Sequence, residues 1–400
     1  MSRLWDKGTT LDRRVLEFTA GEDHALDDRL VAHDVRASIA HAEMLAEVHL
    51  LSAADLAKIR DGLAAIGAAH ARGEWRVPLE LEDGQTALES RLTTMIGEAG
   101  ARIHLGRSRN DQVLAALRLY MRDAVAELGA AADAVGESLL AIARRQGDVA
   151  LPGYTHMQQA MPSSVDWWAR GFAAEIQDDA EGIRQTLRRI NRNPLGSAAG
   201  YGTPGLPISR EATRQRLGFD SVQEPVTAVQ LSRGKAESQL LFELTLLMQD
   251  LGRLATDLLL FYTREFAFVE LPAEMTTGSS IMPQKRNPDV FELIRGRSAT
   301  ALACLVEALG VYSRLPSGYN RDLQLIKAPL FRGIDVCAQV LAVLPAALEG
   351  LRFLPENIRL DPAMQAAARA NELVVREGIP FRDAYRRVAE EISRENGGRS

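Results

Sequence analysis

Two cysteines, Cys304 and Cys337, occur in 400 residues, which excludes a disulfide scaffold or a cysteine-built zinc site and fits a reducing compartment. Histidine is also scarce: there are seven, and none follows His156. No second histidine or cysteine stands at metal-ligand spacing from it, so metal chemistry is not expected there. No run of about 18 uncharged apolar residues occurs, so no membrane span is expected. Residues 1–8 lack the apolar stretch of a signal peptide, which together with the cysteine usage places the protein in the cytoplasm. A net charge of −6, from 47 Lys+Arg against 53 Asp+Glu, offers no basic footprint for nucleic acid. Aromatic residues make up only 6% of the chain.

What remains is Ala and Leu, the composition of helices, and the fold class expected is mainly α. The length alone suggests two or three domains on a prior of about 150 residues each. Proline and glycine barely interrupt five stretches, at about 111–147, 163–191, 235–266, 289–314 and 328–352. In the third, Leu240, Leu244, Leu247, Leu251, Leu254, Leu258 and Phe261 recur at spacings that only a helix places on one face. Leu241, Met248, Ala255 and Tyr262 add a second stripe, so this helix belongs inside a bundle. Helices of about 30–37 residues run roughly 45–55 Å, against a radius of gyration of about 21 Å for a compact chain of this length. Such a bundle buries its excess apolar surface against copies of itself, and a symmetric homo-oligomer is expected. The expected division is a helical N-terminal region at 1–110, a central bundle at 111–352 and a short helical region at 353–400 with a polar tail at 396–398. In the first, Ser52 and Asp55 form a capping pair.

Three loops put glycine and polar side chains beside long helices. The first holds Gly106, Arg107, Ser108, Arg109, Asn110 and Asp111, where free N–H groups and guanidinium forks favour a carboxylate or phosphate. A helix cap with solvated arginines is the plainer reading of the same residues. The second holds Gly153, Tyr154, Thr155 and His156, with acid–base work within reach of the imidazole. The third runs from Gly278 through Ser279, Ser280, Met282, Pro283 and Lys285 to Asn287 and Pro288. Asn287 is expected to cap the next helix with Pro288 as its first residue. Backbone N–H groups and the Lys285 ammonium could stabilise an oxyanion at Ser279 or on a substrate, which suits removal of a proton beside a carboxylate. A smaller cluster, Tyr319, Asn320, Gln324 and Lys327, by itself reads as surface. If the helix at 111–147 is continuous, the loops at its ends stand roughly 55 Å apart in one chain. They then serve separate sites, or the pocket is assembled from neighbouring subunits; Gly129 and Gly136 are the positions where a break would undo this.

At these residues the sequence resembles the argininosuccinate lyases, members of the fumarase and aspartase superfamily. The third loop is similar to the superfamily signature Gly-Ser-Ser-x-Met-Pro-x-Lys-x-Asn, and residues 283–289 to the argininosuccinate lyase form of it. The first loop, through Gln112, is similar to that family's Gly-Arg-Ser-Arg-Asn-Asp-Gln, the second to its Gly-Tyr-Thr-His, and residues 319–324 with Lys327 to a further family segment. The motifs stand in family order from near the N-terminus to about residue 390. The resemblance implies a three-domain, mainly α superfamily lyase fold whose central five-helix bundle forms a twenty-helix core in a homotetramer, with active sites shared between subunits. It implies cleavage of argininosuccinate to arginine and fumarate by general acid–base β-elimination, as in arginine biosynthesis, with no cofactor and no metal. Ser279 would take the carbon-bound proton, Lys285 would stabilise the charge that results, and His156, held by Glu292, would protonate the departing nitrogen. Ser108, Arg109, Asn110, Thr155 and Asn287 would grip the succinyl carboxylates, with Tyr319, Gln324 and Lys327 toward the arginine-derived part. The chain departs from the family at Gln85, where histidine is usual, at Leu105, where threonine is common, and at Gly234, where an acidic residue usually follows the arginine. It also stops short of a typical member, and a reduced third domain is expected from the resemblance. The alternative readings are another superfamily lyase, such as an adenylosuccinate lyase, and an inactive crystallin-like structural homologue.

Overall fold

Ala- and Leu-rich text without breakers forms helices wherever it occurs. A computed structural model describes residues 12–395; the leader reading at residues 1–8 and the polar tail at 396–398 lie outside the described residues. Early in the chain come α1 (Val31–Glu47), α2 (Ala53–Ala71) and α3 (Gly84–Ile96). The hydroxyl oxygen of Ser52 accepts the N–H of Asp55 at 3.0 Å and so starts α2 at the expected cap. Then follow the five long helices: α4 (Arg109–Gln146), α5 (Val165–Gln185), α6 (Lys235–Tyr262), α7 (Asp289–Tyr312) and α8 (Lys327–Glu349). They match the five uninterrupted stretches, except that the second ends early and is followed by a separate turn of helix, Leu187–Ile190. Helix α4 is one element of 38 residues. Neither Gly129 nor Gly136 breaks it, because a helix interior tolerates glycine at roughly 1 kcal/mol.

The α6 stripe is buried as its spacing requires, from Leu240 at 0% exposure to Phe261 at 9%. Phe242 and Leu246 on the same helix stay exposed. Between α4 and α5 the chain forms an antiparallel hairpin, β1 (Ala150–Thr155) with β2 (Gln158–Ser164). The sequence predicts a loop there; the strands pair even though Pro152 and Pro162 oppose each other, where proline is ordinarily disfavoured. A shorter pair, β3 (Thr277–Gly278) with β4 (Arg286–Asn287), closes the base of the third loop. Two further helices, α9 (Ala366–Glu377) and α10 (Phe381–Glu395), end the described chain.

The chain divides into two units: Met1–Ala130 with Ala180–Leu246 and Ala299–Ala338, and Ala131–Asp179 with Leu247–Ser298 and Gln339–Ser400. The first has an aliphatic core where α1, α2 and α3 meet, built on Met44, Leu45, Ile59, Leu63, Ile66, Leu88 and Leu92. The second gathers aromatic rings: Trp168 lies edge-on to Phe353, centroids 5.5 Å apart, with Phe261 at 6.0 Å. Its indole N–H donates to Asp257 at 3.0 Å, which satisfies the one polar atom of the ring. The stretch Arg321–Glu349 is long and apolar enough to cross a membrane by length and composition, and half of its apolar window is buried inside the protein.

One buried ring anchors the first functional loop. His41 on α1 donates from Nε2 to the carbonyl of Leu105 at 2.9 Å, and burial, helped by the charge of Arg107, holds its pKa down at about 3. The folded state therefore keeps His41 neutral while the unfolded chain protonates it near its ordinary 6.5. The stability contribution is complete above pH 6.5 and declines as the pH falls from there toward 3, by about 1.4 kcal/mol per pH unit. Urea midpoints measured between pH 7 and 5 are predicted to show this slope in the natural protein and to lose one proton's share of it in His41→Gln; equal slopes would contradict the assignment.

Candidate active site

The first loop is positioned by a reciprocal cap. The Ser108 hydroxyl oxygen accepts the N–H of Asn110 at 3.3 Å, while the Asp111 carboxylate accepts the Ser108 N–H at 2.9 Å. The other Asp111 oxygen accepts the N–H groups of Gly196 at 3.0 Å and Ala198 at 2.8 Å, tying the start of α4 to a distant turn. Gly106 is required: its φ is 72°, and a Cβ would stand 2.6 Å from Ile208. Arg107 is buried and donates to Ser38 at 2.9 Å.

Arg109 points instead into a small cavity of about 90 Å³ in the first unit, which also takes in Asn110, Tyr319, Gln324, Lys327 and Asp23. This cavity joins the first loop to the cluster at 319–327, which the sequence by itself placed on the surface. Ser108, expected to bind substrate alongside Arg109, does not line it; its hydroxyl is occupied as the cap. Arg109 is paired with Asp83 at 2.6 Å. Lys327 is buried with its ammonium against Asp23 at 2.5 Å and against Asp27. Burial alone would lower the Lys327 pKa, and the two carboxylates more than offset it, so the group stays above its ordinary value and remains charged. No motif in the sequence singles out Asp23, Asp27 or Asp83. Lys327 and Asp27 are 300 positions apart, so no local motif could have linked them.

The remaining residues lie in the second unit. Ser279 follows β3, and its hydroxyl oxygen accepts the backbone N–H groups of Met282 at 3.1 Å and Ile281 at 3.3 Å. Two donors aimed at one oxygen favour its anionic form. Lys285, Asn287 and Glu292 line a cavity of about 760 Å³ together with Arg264, Arg286 and Arg295. Asn287 does not cap α7 as expected; its amide donates back to Thr277 and to the Gly278 carbonyl, each at 3.5 Å, across the β3–β4 pair. Ladder pairing competes here with capping, and the helix starts at Asp289. Thr155 and His156 sit exposed at the tip of the β1–β2 hairpin, and neither they nor Ser279 line the cavity that holds Lys285 and Glu292. A single chain therefore gathers Arg109, Asn110, Tyr319, Gln324 and Lys327 in one place and Lys285, Asn287 and Glu292 in another, with Ser279, Thr155 and His156 outside both. Among the described residues no group of three or more His, Cys, Asp or Glu side chains could hold a metal ion.

The hairpin tip carries strain. Thr155 pairs with Gln158, leaving His156 and Met157 as a two-residue turn with φ of 50° and 60°. Both central residues at positive φ define a type I′ turn, which prefers Asn-Gly, and each non-glycine residue held there costs on the order of 1 kcal/mol or more.

The sequence profile of a lyase family matches residues 10–302. The chain is 46% identical over 393 residues to an argininosuccinate lyase of Sorangium cellulosum (strain So ce56), covering 98% of this chain and 91% of that one. An argininosuccinate lyase of Stenotrophomonas maltophilia (strain R551-3) is 42% identical over 389 residues, covering 96% and 90%. Among solved structures, EDDS lyase in complex with formate is similar with a TM-score of 0.83 and 27% identity over 97% of this chain and 78% of that chain. A class II fumarase from Schistosoma mansoni shares the fold at a TM-score of 0.78 and 18% identity, over 96% and 89%.

If the tip is strained in order to present His156, then Met157→Gly, which supplies the residue the turn prefers, raises stability by about 1 kcal/mol. Thermal unfolding measures this; an unchanged or lowered melting temperature would show that no strain resides there.

Proposed function

The chain belongs to the lyase family, and from that premise we propose that it cleaves argininosuccinate to arginine and fumarate. The observation that carries this reading is the 46% identity to an argininosuccinate lyase over 98% of the chain. In the proposed reaction an ionised Ser279 removes the proton from the carbon beside a succinyl carboxylate. Charge moves into that carboxylate, where Lys285 stabilises it, and the carbon–nitrogen bond then breaks. The departing nitrogen takes a proton from His156, whose imidazole Glu292 polarises. The N–H groups of Ile281 and Met282 at the Ser279 oxygen support its part, since they favour the ionised hydroxyl the step requires. Arg109, Asn110, Thr155, Asn287 and Ser108 serve the succinyl carboxylates in this scheme, and Tyr319, Gln324 and Lys327 the amino-acid half.

The same reading makes the enzyme a cytoplasmic homotetramer of arginine biosynthesis, in which the regions 1–110, 111–352 and 353–400 act as three domains and each site draws on several subunits. One finding supports contact between subunits. On α7, Leu302, Val306 and Leu309 are exposed at 46%, 61% and 42%, and their spacing forms one stripe suited to burial against another helix.

Purified protein given argininosuccinate is predicted to release fumarate, read by its ultraviolet absorbance, while adenylosuccinate and malate give none; no release from argininosuccinate would end the proposal. Ser279→Ala is expected to lower turnover by about 10²- to 10⁴-fold without changing the oligomer's mass, and retained activity would exclude it as the base. Mixing inactive His156→Asn and Ser279→Ala subunits is expected to restore part of the activity. Failure to do so despite demonstrated subunit exchange would exclude sites built from both residues across subunits.

A further inference from the structure

The cations of the first-unit cavity and its rim differ in what they face. Lys327 stands between Asp23 at 2.5 Å and Asp27, Arg109 faces Asp83 at 2.6 Å, and Arg321 faces Glu82 at 3.4 Å. Arg233, which lines the same cavity, has no ion pair among the described residues. It is only 3% exposed, and neither its Nε nor its Nη1 has a hydrogen-bond partner. Its guanidinium carbon lies 5.6 Å from the centre of the Tyr319 ring, which holds the plane in place without supplying a counter-charge. The next residue, Gly234, has φ 87°, and a Cβ there would come within 2.2 Å of Tyr312, so no acidic side chain fits beside the arginine. Glu237 uses a carboxylate oxygen to accept the Gly234 N–H at 2.8 Å.

A buried, unpaired guanidinium is costly to the fold, and its five donors in a planar fork match a carboxylate. The cavity, about 90 Å³, has room for a head group rather than a whole substrate. Its other pole is negative, because the Asp23, Lys327 and Asp27 group carries two carboxylates for one ammonium. A positive and a negative pole in one small cavity fit an α-amino acid zwitterion.

We propose that Arg233 is a specificity-determining residue that binds the α-carboxylate of the substrate's amino-acid half, with the Asp23 side of the cavity toward the α-ammonium. The assignment rests on the lyase reading for the identity of that half. It gives a reason for an arginine left without an ion pair among the described residues of a folded chain: the ligand completes it. It also deepens the roles of Tyr319 and Lys327, of which the first holds the guanidinium plane and the second sets the negative pole.

Calorimetric titration of the intact protein with L-arginine and with agmatine, which lacks only the carboxylate, tests this directly. The natural protein is expected to bind arginine about 10- to 100-fold more tightly, the usual worth of a charge-assisted pair. Arg233→Gln is expected to bring arginine down to the level of agmatine while leaving agmatine unchanged; Arg233→Lys, which keeps the charge and loses the fork, should fall between. Equal affinities in the natural protein, or a variant that weakens both ligands alike, would overturn the proposal and mark Arg233 as structural. Should the Gln variant not fold, the natural protein and the Lys variant still decide. The two readings fail separately: loss of the arginine preference with fumarate release intact refutes this assignment, whereas an intact preference without fumarate release refutes the proposed reaction.

Discussion

Backbone hydrogen bonding that runs unbroken through the 38 residues of α4 is the constraint on which the rest depends. The two glycines inside it do not interrupt it. The loop carrying Arg109 opens this helix, and the hairpin carrying His156 follows it in the chain. In the proposed reaction both reach one substrate, and the proposal draws them from different subunits of an oligomer. The exposed stripe on α7 belongs to the same logic, since apolar side chains at helical spacing gain from removal from water.

The groups proposed to bind and those proposed to move protons are held differently. In the first unit Arg109 and Lys327 are paired within the chain, and burial makes those pairs firm in geometry whatever their net contribution to stability. Rigid walls of this kind suit recognition. In the second, Lys285 and Glu292 are exposed, the Ser279 oxygen is held only by two backbone N–H groups, and His156 stands on a strained turn. The groups to which the proposed reaction gives a change of protonation state are thus the less encumbered ones, as proton transfer at neutral pH favours.

The helices were legible because leucine at three- and four-residue spacing has no other reading over that length. The Ser52 cap was legible because its partner is three residues away. The β1–β2 hairpin was not, since its prolines mask strand propensity, and the positive φ of His156 and Met157 left no trace in residue type. Asn287 had the right chemistry for a cap, but pairing with Thr277 competed for it. Within the candidate site, motif residues could be named from the text because each motif is local. Asp23, Asp27, Asp83 and Arg233 could not, because their meaning comes from contacts across most of the chain, and a buried guanidinium without an ion pair is visible only once its surroundings are built.

The shared site is tested most directly by determining the structure of Ser279→Ala protein with argininosuccinate trapped in it. The account predicts one ligand touched by Arg109 of one subunit and by Lys285 of another, with the mutated position facing its succinyl carbon. A ligand enclosed wholly by one chain, or found in a monomer, would contradict it.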